Sequence, residues 1–159
     1  MTRRFLHIAL LLITFIAVMP FYSCRDMLMN RVAEKLNAKC PTRQIKGFVL
    51  NSVEYQEDTF ILNLKVEDST IREFFDKLGL DESYFYMALD LFADQITTRG
   101  SVKNFTKKLV GIAAKDDTFK TLIDISISEN VNAKLVFQIG TRQKSLLITP
   151  KDIAENNRK

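Results

Sequence analysis

The sequence predicts an α+β fold in which two β-hairpins form one antiparallel sheet packed against several helices. Two observations lead to this prediction. Within two separate regions, 48–66 and 133–149, apolar residues fall on alternate positions over lengths that suit pairs of short strands. Between these regions, apolar residues recur with helical spacing. Because strands and helices do not alternate regularly, a doubly wound parallel sheet is disfavoured, and we expect one domain from residue 24 to residue 159.

The first hairpin is predicted to follow a helix over 26–38, after Pro41 changes the pattern from helical to alternating. Its strands are Phe48–Tyr55 and Thr59–Val66, joined by the polar turn 56–58. In the second strand four apolar side chains occupy alternate positions, so that one face is expected to be buried. That face carries Phe60, Leu62, Leu64 and Val66.

Four helices are predicted between the hairpins. Short polar residues favour the first position of a helix, and glycine or asparagine tolerates the positive φ that ends one. The expected starts are Asp68 or Ser69, Asp81, Ser101 and the pair Asp116–Asp117, and the expected ends of the first and last helices are Gly79 and Asn130. In the last segment Ile123, Ile125 and Ile127 also alternate as in a strand, but its other apolar residues favour a helix.

The second hairpin is predicted from Ala133–Ile139 and Ser145–Thr149, around a polar connection from Gly140 to Lys144. Thr149 and Pro150 then form a typical helix start, in which a hydroxyl side chain precedes a first-turn proline. We therefore expect a short helix to close the domain before the polar tail 155–159.

The helix expected from Asp81 to about Thr98 carries two apolar strips. The first strip has the spacing of a surface that faces the core and contains Phe85, Ala88, Leu89, Phe92 and Ile96. The second contains Tyr84, Met87 and Leu91. A central helix buried on both strips is the simpler interpretation. The alternative is a partner-binding face, whose candidate residues are Tyr84, Phe85, Met87, Leu91 and Phe92.

The first 24 residues have the order of an export signal. Two arginines form a positive head, an apolar run follows, a proline ends the run, and a small residue and a cysteine come last; these are Arg3, Arg4, 5–19, Pro20, Ser23 and Cys24. Because positive residues stay on the cytoplasmic side, the rest of the chain is expected outside the cytoplasm.

Three interpretations of this segment remain open. A lipoprotein signal, which we favour, would make Cys24 the lipidated first residue of the mature chain, although Phe21 and Tyr22 are unusual before it. An ordinary cleaved signal would need small residues before the cut. An uncleaved anchor would need roughly 20 apolar residues, and 5–22 is slightly shorter. Each interpretation predicts an exported envelope protein that faces the periplasm or the cell surface, and the lipoprotein and anchor interpretations also predict contact with the membrane through the N-terminal segment.

Cys24 and Cys40 are the only cysteines in the chain. A helix between them, rising ~1.5 Å per residue, would hold them roughly 20 Å apart. A disulfide needs Cα atoms within about 7 Å of each other. We therefore expect no bridge, lipid attachment at Cys24 and a buried free thiol at Cys40.

The charge balance shows no electrostatic sign of nucleic-acid binding. The formal net charge is +4, and setting aside Arg3 and Arg4 reduces the 23 basic residues to 21, against 19 acidic residues. A nucleic-acid-binding domain would carry a clustered positive excess. The nearest approach to such a cluster is Lys103, Lys107 and Lys108, which we interpret as a solvated helix face.

The sequence from residue 24 onward contains no catalytic, metal or cofactor signature. The single histidine, His7, lies in the export segment, so neither a Ser–His pair nor a histidine ligand for zinc is available to the domain. The five glycines form no phosphate-binding loop. Paired carboxylates could still support acid–base hydrolysis of a glycan. The candidates are Glu54, Glu57, Asp58, Glu67, Asp68 and Glu73.

Two segments resemble small exported domains of unknown function from Bacteroidetes. The segment CPTRQIKGFVLNSVEYQEDTFILNLKVED is similar to their opening, where a P…T-L-x-S-V strand leads into a Y-x-Y-x-V strand. The segment NVNAKLVFQIGTRQKSLLITPKDI is similar to their ending, with a G-x-x-L-x-Y-x-Y strand, a glycine turn, a polar strand and T-P-x-D/E-L. Asn130 and Phe137 stand where those domains often have Gly and Tyr. The resemblance implies a single α+β domain in a bacterial envelope and implies no activity.

These observations together predict a lipid-anchored envelope domain that uses no cofactor and binds a protein or a surface component without catalysis. The alternative is a small carboxylate-dependent hydrolase acting on an envelope glycan.

Overall fold

The structure, a computed structural model, describes residues 24–80 and 84–157. The export segment 1–23 and the expected helix start at Asp81 lie outside these residues. In chain order the described elements are α1 (Cys24–Asn37), β1 (Phe48–Gln56), β2 (Thr59–Val66), α2 (Asp68–Leu78), α3 (Phe85–Ile96), α4 (Arg99–Ala113), α5 (Asp117–Ser128), β3 (Asn132–Ile139), β4 (Arg142–Ile148) and α6 (Pro150–Asn157).

The four strands form one mixed sheet in the order β1-β2-β3-β4. β1 with β2 and β3 with β4 are antiparallel hairpins, whereas β2 and β3 run parallel, with Leu62 opposite Leu135. The α+β prediction is confirmed, but the expectation of an antiparallel sheet throughout is wrong at this central pair. The helices α2 to α5 return the chain to the end of the sheet where β2 begins, and a parallel pair requires such a crossover.

Each hairpin has a two-residue turn. Glu57 and Asp58 have φ angles of 46° and 56°, and positive φ at both turn positions matches the twist of paired strands. The second turn contains Gly140, whose φ is 57°, so that β4 begins at Arg142 instead of at Ser145 as predicted. The first residues of β4 are polar on both faces, and side-chain alternation therefore does not reveal them.

One face of the sheet is buried beneath the helices. Strand and helix residues form one continuous core, and its largest fully buried side chains are Met29, Leu36, Phe60, Leu62, Leu64, Leu89, Leu109, Phe119, Leu122, Ile123, Leu135 and Phe137. Within it the rings of Phe48, Phe105 and Phe137 lie between 5.0 and 5.7 Å apart. The described helices leave the other face uncovered, as is common for the hairpins of α+β folds.

The predicted helix ends and the predicted start of α5 are confirmed. Gly79 ends α2 with a φ of 63°, and Asn130 follows α5 with a φ of 56°. Asp116 caps α5, because its carboxylate accepts hydrogen bonds from the backbone N–H groups of Thr118 and Phe119. A helix, not a strand, therefore accounts for the alternating isoleucines that follow.

Two other predicted helix starts are wrong. Glu67 occupies the cap position of α2, where Asp68 or Ser69 was expected, and Thr98 occupies that of α4, where Ser101 was expected. Ser101 lies inside the first turn of α4, and its hydroxyl donates a hydrogen bond of 2.8 Å to the carbonyl of Gln95. This contact depends on how the chain turns between α3 and α4, which capping preferences alone do not predict.

The sheet has two distinct ends, an anchor end and a far end. At the anchor end the start of α1 meets the turn between β1 and β2, where Arg25 Nη1 lies 2.6 Å from Asp58 Oδ1. Asn132, the first residue of β3, donates its backbone N–H to the carbonyl of Asp58. Val66 and Gly140 lie at the far end. At about 3.3 Å per residue, the length of β2 separates the two ends by about 23 Å.

Replacing Asp116 with alanine is expected to lower the free energy of unfolding by about 1–2 kcal/mol. The change removes the ion pair with Lys39, whose Nζ lies 2.7 Å from Asp116 Oδ1, and the cap of α5. The hydrogen bond from Lys39, with those from Gln44 and the backbone, holds the pKa of Asp116 well below its usual range. The stabilisation should therefore be complete above the unfolded pKa of about 3.9 and disappear as the pH falls through the folded pKa.

Chemical denaturation at neutral and acidic pH measures this difference. The matched control is Asp117→Ala, which removes an exposed first-turn carboxylate and should cost no more than about 0.5 kcal/mol. Equal losses for the two variants, or a loss for Asp116→Ala that does not change with pH, would contradict the assignment.

Candidate functional site

The second apolar strip of α3 is exposed, although the first is largely buried. Tyr84, Met87 and Leu91 are 52%, 52% and 49% exposed. Four residues of the first strip are buried, namely Ala88, Leu89, Phe92 and Ile96. Because residues three and four positions apart are neighbours on a helix, the exposed side chains form one line along α3. This line contributes little to the core.

Phe92 belongs to the core, and its assignment to a partner face is wrong. Its ring lies 5.0 Å from that of Phe74 on α2, and it is 7% exposed. Phe85 is 42% exposed and stacks on Phe75, with the ring centroids 5.2 Å apart. The stacking fixes the Phe85 ring and leaves part of it in solvent.

Tyr86 is a further exposed aromatic residue, which the sequence pattern does not identify. It is 70% exposed, and its ring meets that of Phe85 edge on, with centroids 5.6 Å apart. Periodicity assigns it no role, because its helical position belongs to neither apolar strip. We refer to the exposed residues of this region as the apolar tip, which consists of Tyr84, Phe85, Tyr86, Met87 and Leu91.

The apolar tip lies at the far end of the sheet. Two ion pairs tie α3 to β4: Arg142 Nε lies 3.1 Å from Asp90 Oδ1, and Lys144 Nζ lies 2.8 Å from Asp94 Oδ1. Because Arg142 is the first residue of β4, Asp90 is level with the far end, and α3 runs from there towards the anchor end. Residues before Asp90 extend past the sheet by about 1.5 Å each. The start of the tip is therefore roughly 30 Å from the anchor end.

Cys24 is an exposed free cysteine at the opposite end, and the residue after it is fixed to the domain. Arg25 pairs with Asp58 at 2.6 Å and donates a second hydrogen bond, of 2.8 Å, to the carbonyl of Glu129 at the end of α5. These contacts join the start of α1 to the turn between β1 and β2 and to the end of α5. A group attached to Cys24 would consequently be held close to the anchor end of the sheet.

A polar cavity of about 400 Å³ adjoins Arg25. In it the hydroxyl of Tyr55 lies 3.2 Å from a carboxylate oxygen of Asp26 and 3.2 Å from one of Asp58. Burial and the hydrogen bond to Asp58 raise the pKa of Tyr55 to about 12, because a phenolate beside two carboxylates is unfavourable. The arrangement stabilises a neutral tyrosine at the anchor end.

The carboxylates considered for hydrolysis do not gather in one cleft. Glu57 and Asp58 line the polar cavity. The others are distributed elsewhere, with Glu54 on the uncovered face of the sheet, Glu67 before α2, and Asp68 and Glu73 exposed on α2. A glycosidase needs one carboxyl group that is still protonated near neutral pH, whereas Asp58 is ion-paired with Arg25. The geometry gives the hydrolase alternative no support.

Cys40 is also a free thiol, and it is half-buried. Its Sγ donates to the carbonyl of Leu36 at 3.5 Å, and burial raises its pKa, which lowers the reactivity of a thiol. Within residues 24–80 and 84–157, no group of three His, Cys, Asp or Glu side chains is placed to hold a metal ion. Over the same ranges, none of the helices combines the length and the apolar character that crossing a membrane requires.

Comparison with known proteins assigns no family. No family model matches the chain, and no curated protein sequence matches it. Among solved structures, a crystal structure from Pseudomonas aeruginosa, provisionally described as that of a secreted protein, aligns with 82% of this chain and 97% of its own. The sequence identity is 9% and the TM-score is 0.39. A likeness of this strength carries neither a family nor an activity over to this chain.

Replacing Tyr55 with phenylalanine is expected to reduce the loss of stability at alkaline pH. The tyrosine ionises near pH 10 when unfolded and at about 12 when folded. The contribution of the neutral hydroxyl to stability is therefore complete below about pH 10 and is lost as the pH rises towards 12. Thermal denaturation between about pH 8 and 11 should show a shallower decrease of Tm for Tyr55→Phe than for the wild type.

The matched control is Tyr86→Phe, which changes an exposed tyrosine of the apolar tip. This variant should follow the wild-type pH dependence, since Tyr86 is 70% exposed and lies outside the polar cavity. Identical pH profiles for Tyr55→Phe and the wild type would show that the Tyr55 hydroxyl contributes nothing to folding.

Proposed function

We propose that this protein is an exported domain, tethered to a membrane at Cys24, which binds another protein through the apolar tip and performs no catalysis. The observation that carries the proposal is the half-exposed line of Tyr84, Met87 and Leu91. These side chains are large and apolar, the core does not use them, and they lie at the end of the molecule remote from Cys24. Contiguous exposed apolar side chains of this kind mark interaction surfaces.

Export and tethering are supported by the N-terminal segment. Its positive head and apolar run are typical of an export signal, and the final Ser23-Cys24 resembles the end of a lipoprotein signal, although Phe21 and Tyr22 are unusual before it. Cys24 is exposed, as a residue that carries a lipid must be. Met27 and Leu28, 53% and 46% exposed on the first turns of α1, would lie close to the membrane surface beside a lipid on Cys24.

The position of the apolar tip favours a protein partner over the membrane. With Cys24 at the bilayer, the contacts of Arg25 hold the anchor end of the sheet beside it. The tip then projects roughly 30 Å away. Aromatic and methionine side chains are enriched in protein interfaces. Apolar residues at positions i, i+3 and i+7 of a helix also have the spacing with which helices dock into apolar grooves.

The mature protein is expected to begin at Cys24 and to carry a diacyl or triacyl modification there. Mass spectrometry of the protein purified from its native membrane should show the chain from residue 24 with the added acyl mass, and Cys24→Ala should lose that mass. Cleavage without lipid would contradict the tether at Cys24. An intact Met1 would instead assign the membrane contact to an uncleaved segment.

A photoreactive amino acid at position 86 of the full chain is expected to cross-link one defined protein in the cells that produce this protein. The matched control places the same amino acid at position 147, where Leu147 is also apolar and 52% exposed but lies on the uncovered face of the sheet. Met87→Gln with Leu91→Gln should reduce the cross-link from position 86 by about tenfold or more. Because both residues are half-exposed, Tm should change little.

Two outcomes would overturn the assignment of the apolar tip. Equal cross-linking from positions 86 and 147 would show that the contact is not specific to the tip. Cross-linking of position 86 to phospholipid alone would assign the tip to the membrane. An adduct of twice the chain mass would identify the partner as a second copy of the protein.

A further inference from the structure

A second cavity, of about 530 Å³, lies between the segment that precedes β1 and the second half of α4. Ile45, Ile112 and the backbone of Gly111 form an apolar wall. Lys46, Lys108 and Lys115 line the cavity beside this wall. Its volume lies within the range of small-molecule sites, about 300–1,000 Å³. We refer to it as the lysine groove.

The three lysines of the groove have no carboxylate partner in the part of the chain that the structure describes. The ion pairs formed there use other cations. Asp116 also lines the groove, but its carboxylate is already engaged by Lys39 at 2.7 Å, by Gln44 at 3.2 Å and by the backbone of α5. The groove therefore presents positive charge that the protein does not neutralise.

Lys108 is the most constrained of these cations. Its Nζ lies 5.4 Å from the ring centroid of Phe48 and 5.1 Å from that of Phe105, so two rings hold the ammonium group over the groove. Partial removal of water lowers its pKa. Because Lys108 is an exposed residue, its ammonium group stays accessible to an anion in the groove. Lys103, Lys107 and Lys108 are all exposed, as expected for a solvated helix face, and Lys108 in addition lies over two aromatic rings.

Because Gly111 has no side chain, the space beside it in the groove is empty. A Cβ atom placed on Gly111 would have no heavy atom within 4 Å apart from its chain neighbours and the adjacent backbone of α4. A larger side chain at this position would thus enter the groove without displacing neighbouring residues. Beside it Ile45 is 4% exposed, and Ile112 is half-buried, so that an apolar group in the groove would meet hydrocarbon on this side.

We propose that the lysine groove binds an anionic amphiphile, which is a small molecule with one negatively charged head and a hydrocarbon tail. The head would lie among Lys46, Lys108 and Lys115, and the tail would lie against Ile45 and Ile112. Charge complementarity alone would suit a free anion, and the apolar wall alone would suit a neutral molecule; the two together select a ligand that has both parts. The site shares no residue with the apolar tip and does not depend on the proposed protein binding.

Isothermal titration calorimetry with hexyl phosphate tests this proposal. The full chain is reconstituted in phosphatidylcholine nanodiscs, and empty nanodiscs supply the blank for partitioning of the ligand into lipid. We expect saturable binding of one molecule per chain. Inorganic phosphate, which lacks the tail, and hexanol, which lacks the charge, should each bind at least about tenfold more weakly.

Three variants locate the site. Lys108→Met keeps the hydrocarbon stem but removes the charge and should weaken binding by about tenfold or more, and Gly111→Leu fills the groove and should abolish binding. The control Lys107→Met removes a lysine from the neighbouring position outside the groove and should leave affinity unchanged. Gly111→Leu replaces a helical glycine with a better helix former, so its Tm should not fall.

The proposal is overturned if hexyl phosphate does not saturate, or if hexanol or inorganic phosphate binds equally well. Equal losses from Lys107→Met and Lys108→Met would overturn it too, because only the net charge would then matter. Tighter binding by an acidic peptide without a hydrocarbon tail would assign the groove to a different class of ligand.

Discussion

The parallel pairing of β2 with β3 is the constraint on which the rest of the structure depends. Neither hairpin can bury its apolar face alone, because two strands provide too little surface. Joining the hairpins through their inner strands aligns Phe60, Leu62 and Leu64 with Ala133, Leu135 and Phe137 in one apolar surface. A parallel pair cannot be closed by a tight turn. The chain between the hairpins must therefore cross the sheet, and it does so as four helices that cover the same surface.

This topology gives the molecule two different ends. β2 and β3 both begin at the anchor end, where Arg25 also fixes the start of α1 through Asp58 and Glu129. α3 is held beside the edge strand β4 by the ion pairs of Asp90 and Asp94 with Arg142 and Lys144, and its first turns extend past the far end. The residue that would carry a lipid and the exposed apolar side chains are consequently separated by the length of the sheet. If Cys24 were joined to the domain by a flexible segment, without contacts like those of Arg25, the position of the apolar tip relative to Cys24 would not be fixed.

The elements that can be predicted from the sequence are those with local causes. Alternating apolar residues locate three strands. Gly79 and Asn130 end helices through the φ angle of their own backbone, and Asp116 starts one by accepting hydrogen bonds from N–H groups two and three residues ahead. The parallel pair depends on residues far apart in the chain, and the polar start of β4 depends on backbone pairing alone. Local patterns contain no information about them.

The residues of the candidate sites divide in the same way, into those that local sequence identifies and those that only the packing of the chain identifies. Periodicity separates the two strips of α3, but only the packing of Phe74 against Phe92 decides which strip is buried. Tyr86 belongs to neither strip, and only its exposure in the structure identifies it as a candidate. The lysine groove combines residues 44–46 with residues 108–116, and no sequence pattern joins segments so distant. No local pattern distinguishes Lys108 from Lys107, because the rings of Phe48 and Phe105 come to lie beneath Lys108 only when the chain folds.

The apolar tip and the lysine groove differ in chemistry, and this difference determines which kind of ligand is proposed for each. The apolar tip keeps hydrocarbon in contact with water, which an apolar partner surface relieves at roughly 25 cal/mol for each Å² buried. The lysine groove instead presents three ammonium groups that have no carboxylate partner among the described residues, and a negative group would attract them. Salt screens the second interaction at about 8–10 Å under ordinary ionic strength and leaves the first nearly unchanged. The two proposed ligands are therefore of unrelated chemistry, and ionic strength is expected to affect binding in the groove far more than binding at the tip.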